Sequence, residues 1–276
     1  EYTTFKIGGK CPLAVLPSNS EQIAKIIKYC NQNSVKYYIF GKGSDLLVND
    51  DGLDAVVIVL RERFSDVSLV SSDTVRCTAG TSLATLCKFA RDNSLSGLEF
   101  AYGIPGTVGG AVFMNAGAYG GEISDVFVRC GAVKKDGNTV IIDKADADLS
   151  YRHSVFENEE YCIIWAEFKL EKADKEDITA RMNELMQKRK SKQPLEYPSA
   201  GSTFKRPEGY YAAALIEQCG LKGESVGGAQ VSTKHSGFII NKNSATAKDV
   251  VELIDLVKKK VFEKTGCKLE CEVKLL

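Results

Sequence analysis

The sequence predicts an α+β protein built in two or three parts. Three observations carry that expectation. Apolar residues recur at helical spacing in several stretches, and short β-type runs lie between them. The length of 276 residues exceeds a single domain of about 150. A hydrophobic fraction of 44% with 26% charged residues excludes wholesale disorder. Lys plus Arg is 36 and Asp plus Glu is 36, a net charge of zero, so no global field draws the chain to nucleic acid or to an acidic membrane. Any anion site must be local. Apolar runs such as Ala55 to Leu60 stop well short of the ~20 residues of a membrane helix. No signal-peptide pattern opens the sequence, which leads to the expectation of a cytoplasmic location.

Taken in order, Ser18-Asn19-Ser20-Glu21 reads as a capping box, followed by Ile23, Ile26, Ile27 and Cys30 at helical spacing. Val35 to Phe40 reads as a strand that feeds into Gly41-Lys42-Gly43-Ser44-Asp45. Leu47-Val48 and Ala55 to Leu60 read as further strands around the turn Asn49-Asp50-Asp51-Gly52. Two short strands, 67–70 and 74–77, precede a helix with Leu83, Leu86, Cys87 and Ala90 on one face. A glycine-rich stretch follows from Gly103 to Gly121, then strand-like pieces as far as Leu170. A polar helix runs from about Asp174 to Lys192, and Pro194 stops it. The last part holds a helix from about Tyr211 to Cys219 closed by Gly220. Another carries Val250, Leu253, Ile254, Val257 and Val261 and is closed by Gly266. A strand over Lys268 to Val273 ends the series.

The nine cysteines are Cys11, Cys30, Cys77, Cys87, Cys130, Cys162, Cys219, Cys267 and Cys271. Their number is odd, their spacing scattered, and no CxxC occurs. They read as reduced, mostly buried thiols, and no metal site is expected.

The chemistry lies in two glycine-rich loops. Gly41-x-Gly43-Ser44 follows a strand, where glycine lets the backbone approach a ligand and its N–H groups cradle a phosphate. It lacks the GK[ST] of a P-loop and the third glycine of GxGxxG. The second holds Gly103, Gly106, Gly109, Gly110, Gly117, Gly120 and Gly121, too many for one turn. Two such loops in adjoining segments point to a large phosphorylated cofactor between them.

Gly41-Lys42-Gly43-Ser44-Asp45-Leu46-Leu47-Val48 resembles the pyrophosphate loop of flavin enzymes related to vanillyl-alcohol oxidase. Gly103-Ile104-Pro105-Gly106-Thr107-Val108-Gly109-Gly110 and Asn115-Ala116-Gly117-Ala118-Tyr119-Gly120 resemble the UDP-N-acetylenolpyruvoylglucosamine reductase family (MurB). So do Tyr151-Arg152, Gly201-Ser202-Thr203-Phe204-Lys205 and Glu270-Cys271-Glu272-Val273. The matches run in order from Thr4-Phe5 to the C-terminus. The resemblance implies an FAD-binding fold of the vanillyl-alcohol oxidase (PCMH) type in two subdomains, 1–60 and 61–192. A C-terminal α/β substrate-binding domain covers 193–266, and the strand of 267–276 is a candidate to join the first subdomain.

The same resemblance implies that NADPH reduces noncovalent FAD, and that UDP-N-acetylglucosamine enolpyruvate then takes a hydride from flavin N5 and a proton, giving UDP-N-acetylmuramate for peptidoglycan. Arg152 is then the cation for the enolpyruvyl carboxylate, Ser202 the proton donor, and Glu272 the acid that assists, with Glu270 the second choice. Implied FAD contacts are Gly41, Lys42, Gly43, Ser44, Asp45, Gly103, Ile104, Pro105, Gly106, Val108, Gly109, Gly110, Asn115, Gly117 and Ala118. Implied substrate contacts are Tyr119, Arg189, Lys192, Lys205 and Gln230. The basic run Lys188 to Lys192 reads equally as a solvated helix end.

Arg206 stands where some relatives carry asparagine, and only 50 positions separate Arg152 from Ser202, as in the shorter relatives without a lid loop. His235 or Lys234 is then a candidate for the diphosphate, although His235 and His153 also read as structural hydrogen-bonding residues. The expected partners are small molecules only, the expected assembly a monomer. An oxygen-using flavin oxidase and a non-catalytic sugar-nucleotide binder are the competing readings. No histidine stands in the first glycine loop to tether a flavin, and Arg152, Ser202 and Glu272 occur together, which speaks against each in turn.

Overall fold

The structure is a computed structural model that describes residues 2–157 and 161–276. Two compact units emerge. The larger comprises Pro12–Lys42 and Ala55–Lys188, the smaller the chain through Cys11, Gly43–Asp54 and Arg189–Leu276. The three segments read from the sequence are therefore regrouped. Part of the first segment, 43–54, folds with the C-terminal part, and the division beside the polar helix falls between Lys188 and Arg189.

In the larger unit a parallel sheet has the order Leu13–Val15, Val56–Val59, Tyr37–Phe40. Its companion helix α1 is Ser20–Gln32, with Ile23, Ile27 and Cys30 buried. The cap differs from the capping box expected at Ser18. Asn19 is the cap, its side chain accepting the Gln22 N–H at 2.9 Å, while Ser18 donates to the Gln22 side chain. The shift follows from chemistry, because Asn caps as well as Ser and a glutamine stands where it can answer Ser18.

A five-stranded antiparallel sheet has the order Thr139–Asp143, Phe127–Val133, Cys162–Lys169, Thr74–Thr78, Val67–Leu69. Helices α2 (Leu83–Asp92), α3 (Val108–Phe113) and α4 (Ile123–Val126) belong to this unit. Leu83, Leu86, Cys87 and Ala90 of α2 are all buried, as their spacing predicts. One core holds Ile58, Val75, Leu86, Val112, Phe127 and Phe168.

Helix α5, Lys175–Lys192, begins one residue later than expected because Asp174 caps it, accepting the Glu176 N–H at 2.8 Å. Its sequence is polar, yet Ile178, Met182, Leu185 and Arg189 form one buried stripe at helical spacing. The division between the units falls within this helix.

In the smaller unit three antiparallel strands, Ser225–Val226, Ala229–Val231 and Ile239–Asn241, share a core with α6 (Ala212–Gln218) and α7 (Ala247–Thr265). Val250, Leu253, Ile254, Val257 and Val261 of α7 are buried, and Gly266 closes the helix at φ +73°. The Asp50 carboxylate takes the Ala247 N–H at 2.8 Å, so a remote side chain completes the cap of α7. The predicted terminal strand over Lys268 to Val273 is displaced. Lys274–Leu275 pairs parallel with Leu46–Leu47, and upstream only a bridge joins Cys271 to Phe204. Alternation set the reading too early, because the pairing partner of the tail is fixed by tertiary structure.

All nine cysteines are free thiols, five of them buried, and burial pushes the Cys130 and Cys162 thiols up to about 12. Among the described residues no helix is long and apolar enough to cross a membrane.

Candidate active site

The first glycine loop leaves the strand ending at Phe40. Arg61 donates from Nε to the Gly41 carbonyl at 2.9 Å. A Cβ at Gly41 would lie 2.2 Å from Thr107 Oγ1, so only glycine lets the two glycine-rich loops meet. Gly43 has φ +59°, and a Cβ there would lie 2.3 Å from the Tyr2 carbonyl oxygen. Gly41 and Lys42 belong to the larger unit, and Gly43, Ser44 and Asp45 to the smaller. The Asp45 carbonyl accepts the Lys274 N–H at 2.9 Å, which fastens this end of the loop to the terminal strand.

In the second stretch, the Gly106 carbonyl, Val108 N–H and Gly109 N–H bond to Leu83, Thr81 and Ala79 backbone groups. Gly109 is required by packing, since its Cβ would stand 2.8 Å from that of Ala79. Gly106 and Gly110 are different. A Cβ would meet nothing nearer than 3.6 Å at Gly106 and 3.7 Å at Gly110, and neither has a positive φ. The protein itself does not need glycine there, so Gly106, before α3, and Gly110, on it, leave room that a side chain would fill. Beyond α3, Gly117–Ala118 and Gly121–Glu122 form a small hairpin with Tyr119 (φ +55°) and Gly120 (φ +89°) at its tip. Positive φ at both tip residues is the type I′ pattern, and it lifts Tyr119, 39% exposed, out of the loop.

Arg152 lies in the larger unit on a tight turn. Ser150 and His153 exchange backbone hydrogen bonds (3.2 and 3.1 Å) around Tyr151 and Arg152. Arg152 has φ +55°, where glycine is favoured, and its Nη2 donates to the Gly117 carbonyl at 3.3 Å. Asn115, fully buried, donates from Nδ2 to the Ser150 carbonyl at 3.0 Å and accepts the Ser124 N–H at 2.8 Å. The Asn115 acceptor and one donor are thus spent on the backbone, a use its sequence motif did not signal. The His153 ring lies 3.1 Å from Asp148 Oδ2 and 3.2 Å from Glu157 Oε2, matching the structural role expected of it.

In the smaller unit Ser202 is exposed, while Thr203 beside it is buried and clamps the backbone. Thr203 N–H donates to the Gly237 carbonyl (2.8 Å), its hydroxyl accepts the Ile239 N–H (3.1 Å), and its carbonyl accepts the Glu272 N–H (2.8 Å). Lys205 N–H donates to the Glu270 carbonyl at 2.9 Å. The segments carrying Ser202 and Glu272 are therefore paired, which the sequence left unstated because the pairing is long-range. The Glu270 side chain is 77% exposed, 4.0 Å from Lys205 Nζ, whereas Glu272 is half-buried.

Arg189 is buried, Lys192 exposed, and Gln230 is oriented by its amide on Gly223 (3.3 Å) and Ser225 (3.1 Å). His235 accepts the Gly237 N–H on Nδ1 at 3.2 Å, and burial holds its ring below the usual imidazole range. The neutral ring then carries its proton on Nε2.

A family model described as FAD binding domain matches residues 12–143. Another, described as UDP-N-acetylenolpyruvoylglucosamine reductase, C-terminal domain, matches 193–276. A UDP-N-acetylenolpyruvoylglucosamine reductase of Clostridium botulinum (strain Hall) is 50% identical over 276 residues, all of this chain and 90% of that protein. The chain belongs to the UDP-N-acetylenolpyruvoylglucosamine reductase family. The reductase of Syntrophomonas wolfei is 49% identical over the whole of this chain and 92% of its own. The crystal structure of the Thermus caldophilus reductase superposes with TM-score 0.85 at 36% identity, covering 99% of this chain and 95% of that one.

The chain is thus a flavoprotein oxidoreductase of the reductase family. Its fold is α+β, an FAD-binding domain of the PCMH type joined to the reductase C-terminal domain. The loops fit FAD on structural grounds, because the room left at Gly106 and Gly110 suits a bulky phosphorylated group lying against the backbone.

Proposed function

We propose that the chain reduces UDP-N-acetylglucosamine enolpyruvate to UDP-N-acetylmuramate with NADPH as reductant, as a cytoplasmic monomer in peptidoglycan precursor synthesis. Full-length kinship with the reductases supports the reaction. Within the site, the observation that supports the residue roles is the hydrogen bond from Glu272 N–H to the Thr203 carbonyl, which joins the segment of the hydroxyl to that of the acid. Noncovalent FAD, held by the glycine-rich loops, would supply the hydride once reduced by NADPH.

The chain's own residues do the rest. Arg152 receives the substrate carboxylate, where its forked guanidinium meets charge that builds as the vinyl group is reduced. Ser202 delivers the proton to the carbon bearing that carboxylate. A hydroxyl is a weak acid and needs help from neighbouring groups, and Glu272 is assigned to assist Arg152 in polarising the enolic intermediate. Gly41, Lys42, Gly43, Ser44 and Asp45 bind the cofactor with Gly103, Ile104, Pro105, Gly106, Val108, Gly109, Gly110, Asn115, Gly117 and Ala118. Tyr119, Arg189, Lys192, Lys205 and Gln230 bind the sugar nucleotide.

The test is anaerobic and visible. NADPH bleaches the yellow protein, and the enolpyruvyl sugar nucleotide restores the colour. Ser202→Ala keeps the first step near the parent rate and slows the second by about 10²–10⁴-fold. Bleaching with no recovery in the parent protein overturns the reaction, and equal loss in both steps removes Ser202 from proton donation.

A further inference from the structure

The turn that presents Arg152 is fastened to one short segment at three points. The Ser150 carbonyl accepts from Asn115 Nδ2 (3.0 Å), Arg152 Nη2 donates to the Gly117 carbonyl (3.3 Å), and Ser154 Oγ donates to the Phe113 carbonyl (2.5 Å). The first two contacts close a ring. It runs from the Asn115 amide to Ser150, through the turn to the guanidinium, on to Gly117, and back along two residues to Asn115. Arg152 would otherwise lose several free side-chain torsions on meeting a ligand, and the ring fixes that freedom in advance.

Asn115 suits this work. It is fully buried at φ +44°, a conformation that asparagine tolerates, and its Oδ1 is held by the Ser124 N–H. On the solvent side of the same turn, His153 stands between Asp148 and Glu157 at 3.1 and 3.2 Å. The turn is gripped from both faces, although Arg152 at its tip sits in a backbone region that costs energy.

We propose that Asn115 and His153 are positioning residues for Arg152, holding its turn from the buried and the solvent side. The proposal rests on the reading of Arg152 as the cation for the substrate carboxylate. It moves Asn115 from the cofactor's ligands to the support of a catalytic group.

The experiment uses the FAD-loaded full chain and follows reoxidation of the reduced flavin by the enolpyruvyl sugar nucleotide. Asn115→Asp keeps the acceptor for Ser124 and the tolerance of positive φ, and removes the donor to Ser150. His153→Ala removes the outer grip. Each lowers the limiting rate by about tenfold to a hundredfold, as expected of a small misplacement, with less change in the half-saturating substrate concentration.

In an Arg152→Gly background neither substitution costs more than about twofold, since nothing is left to position. A limiting rate at the parent level, or a loss that adds in full to that of Arg152→Gly, overturns the proposal. Should Asn115→Asp fail to load FAD, His153→Ala, on a partly exposed residue, decides by the same criteria. An Arg152→Gly protein that reoxidises at the parent rate overturns the reading of Arg152 itself. Slow Arg152→Gly beside fast Asn115→Asp or His153→Ala overturns the positioning alone.

Discussion

Arg152 and Gly117 are joined by a hydrogen bond from guanidinium to backbone carbonyl, Nη2···O 3.3 Å. The cation assigned to the substrate and the glycine-rich segment assigned to the cofactor are thus one mechanical piece within the larger unit. Arg152 holds this place at φ +55°, in the left-handed region where a side chain costs about 1–2 kcal/mol.

That strain is measurable apart from function. Arg152→Gly and Arg152→Ala both remove the guanidinium, and both slow flavin reoxidation by the sugar nucleotide. Only glycine relieves the backbone. Arg152→Gly is expected to exceed Arg152→Ala in stability by about 1 kcal/mol in urea unfolding of the apoprotein. Equal midpoints would show that the turn stores no strain.

Local signals were legible and long-range pairings were not. Leu83, Leu86, Cys87 and Ala90 announced a buried helix face because one period governs them all. Gly266 announced the end of α7 for the same local reason. The polar α5 hid its buried stripe, since Ile178, Met182 and Leu185 lie far apart among charges. Regrouping of 43–54 with the C-terminal part was invisible, because the partner of Leu46–Leu47 lies over two hundred residues away at Lys274–Leu275. The candidate site was readable as motifs, while its supports were not. Thr203 and Asn115 show their clamping only when the backbone groups they bind are in place.

Glu270 and Glu272 share a sequence pattern and part company in space. Glu270 is 77% exposed toward Lys205, and Glu272 is half-buried beside the Thr203 carbonyl. Glu272→Gln is expected to slow flavin reoxidation by about 10²-fold or more, and Glu270→Gln by less than about threefold. Stopped-flow mixing of the reduced enzyme with substrate reads both. Comparable losses would return Glu270 to the role.

Two glycines test which loop positions serve the protein and which the cofactor. Gly41→Ala drives a methyl against Thr107, 2.2 Å from its hydroxyl, and is expected to lower apoprotein stability. Gly110→Ala meets nothing nearer than 3.7 Å and lies in a helix, so it is expected to raise apoprotein stability by about 0.5–1 kcal/mol. The same substitution fills the room left at Gly110 and weakens FAD binding. Thermal unfolding of the apoprotein and FAD titration separate the two effects. Unchanged FAD affinity in Gly110→Ala would place the cofactor elsewhere.

Glu167 gives the larger unit a defined acid sensitivity. Its carboxylate is almost fully buried, and Arg129 and Arg76 donate to it from Nε at 2.8 and 2.9 Å. Burial pushes the carboxyl up, but the hydrogen bonds from Arg129 and Arg76, with their charges, outweigh it and hold it below the usual carboxylate range. A group depressed in the folded state binds protons more readily when unfolded. Its stabilisation is complete above the ordinary carboxylate range and is lost as pH falls through the depressed folded value. Glu167→Gln is expected to cost about 1–3 kcal/mol at neutral pH, the scale of hydrogen bonds to charged groups. The gap between parent and variant should then shrink as acid protonates Glu167 in the parent. Urea midpoints measured from neutral pH down to the acid limb test this, and a gap that stays constant with pH would assign the loss to packing instead of charge.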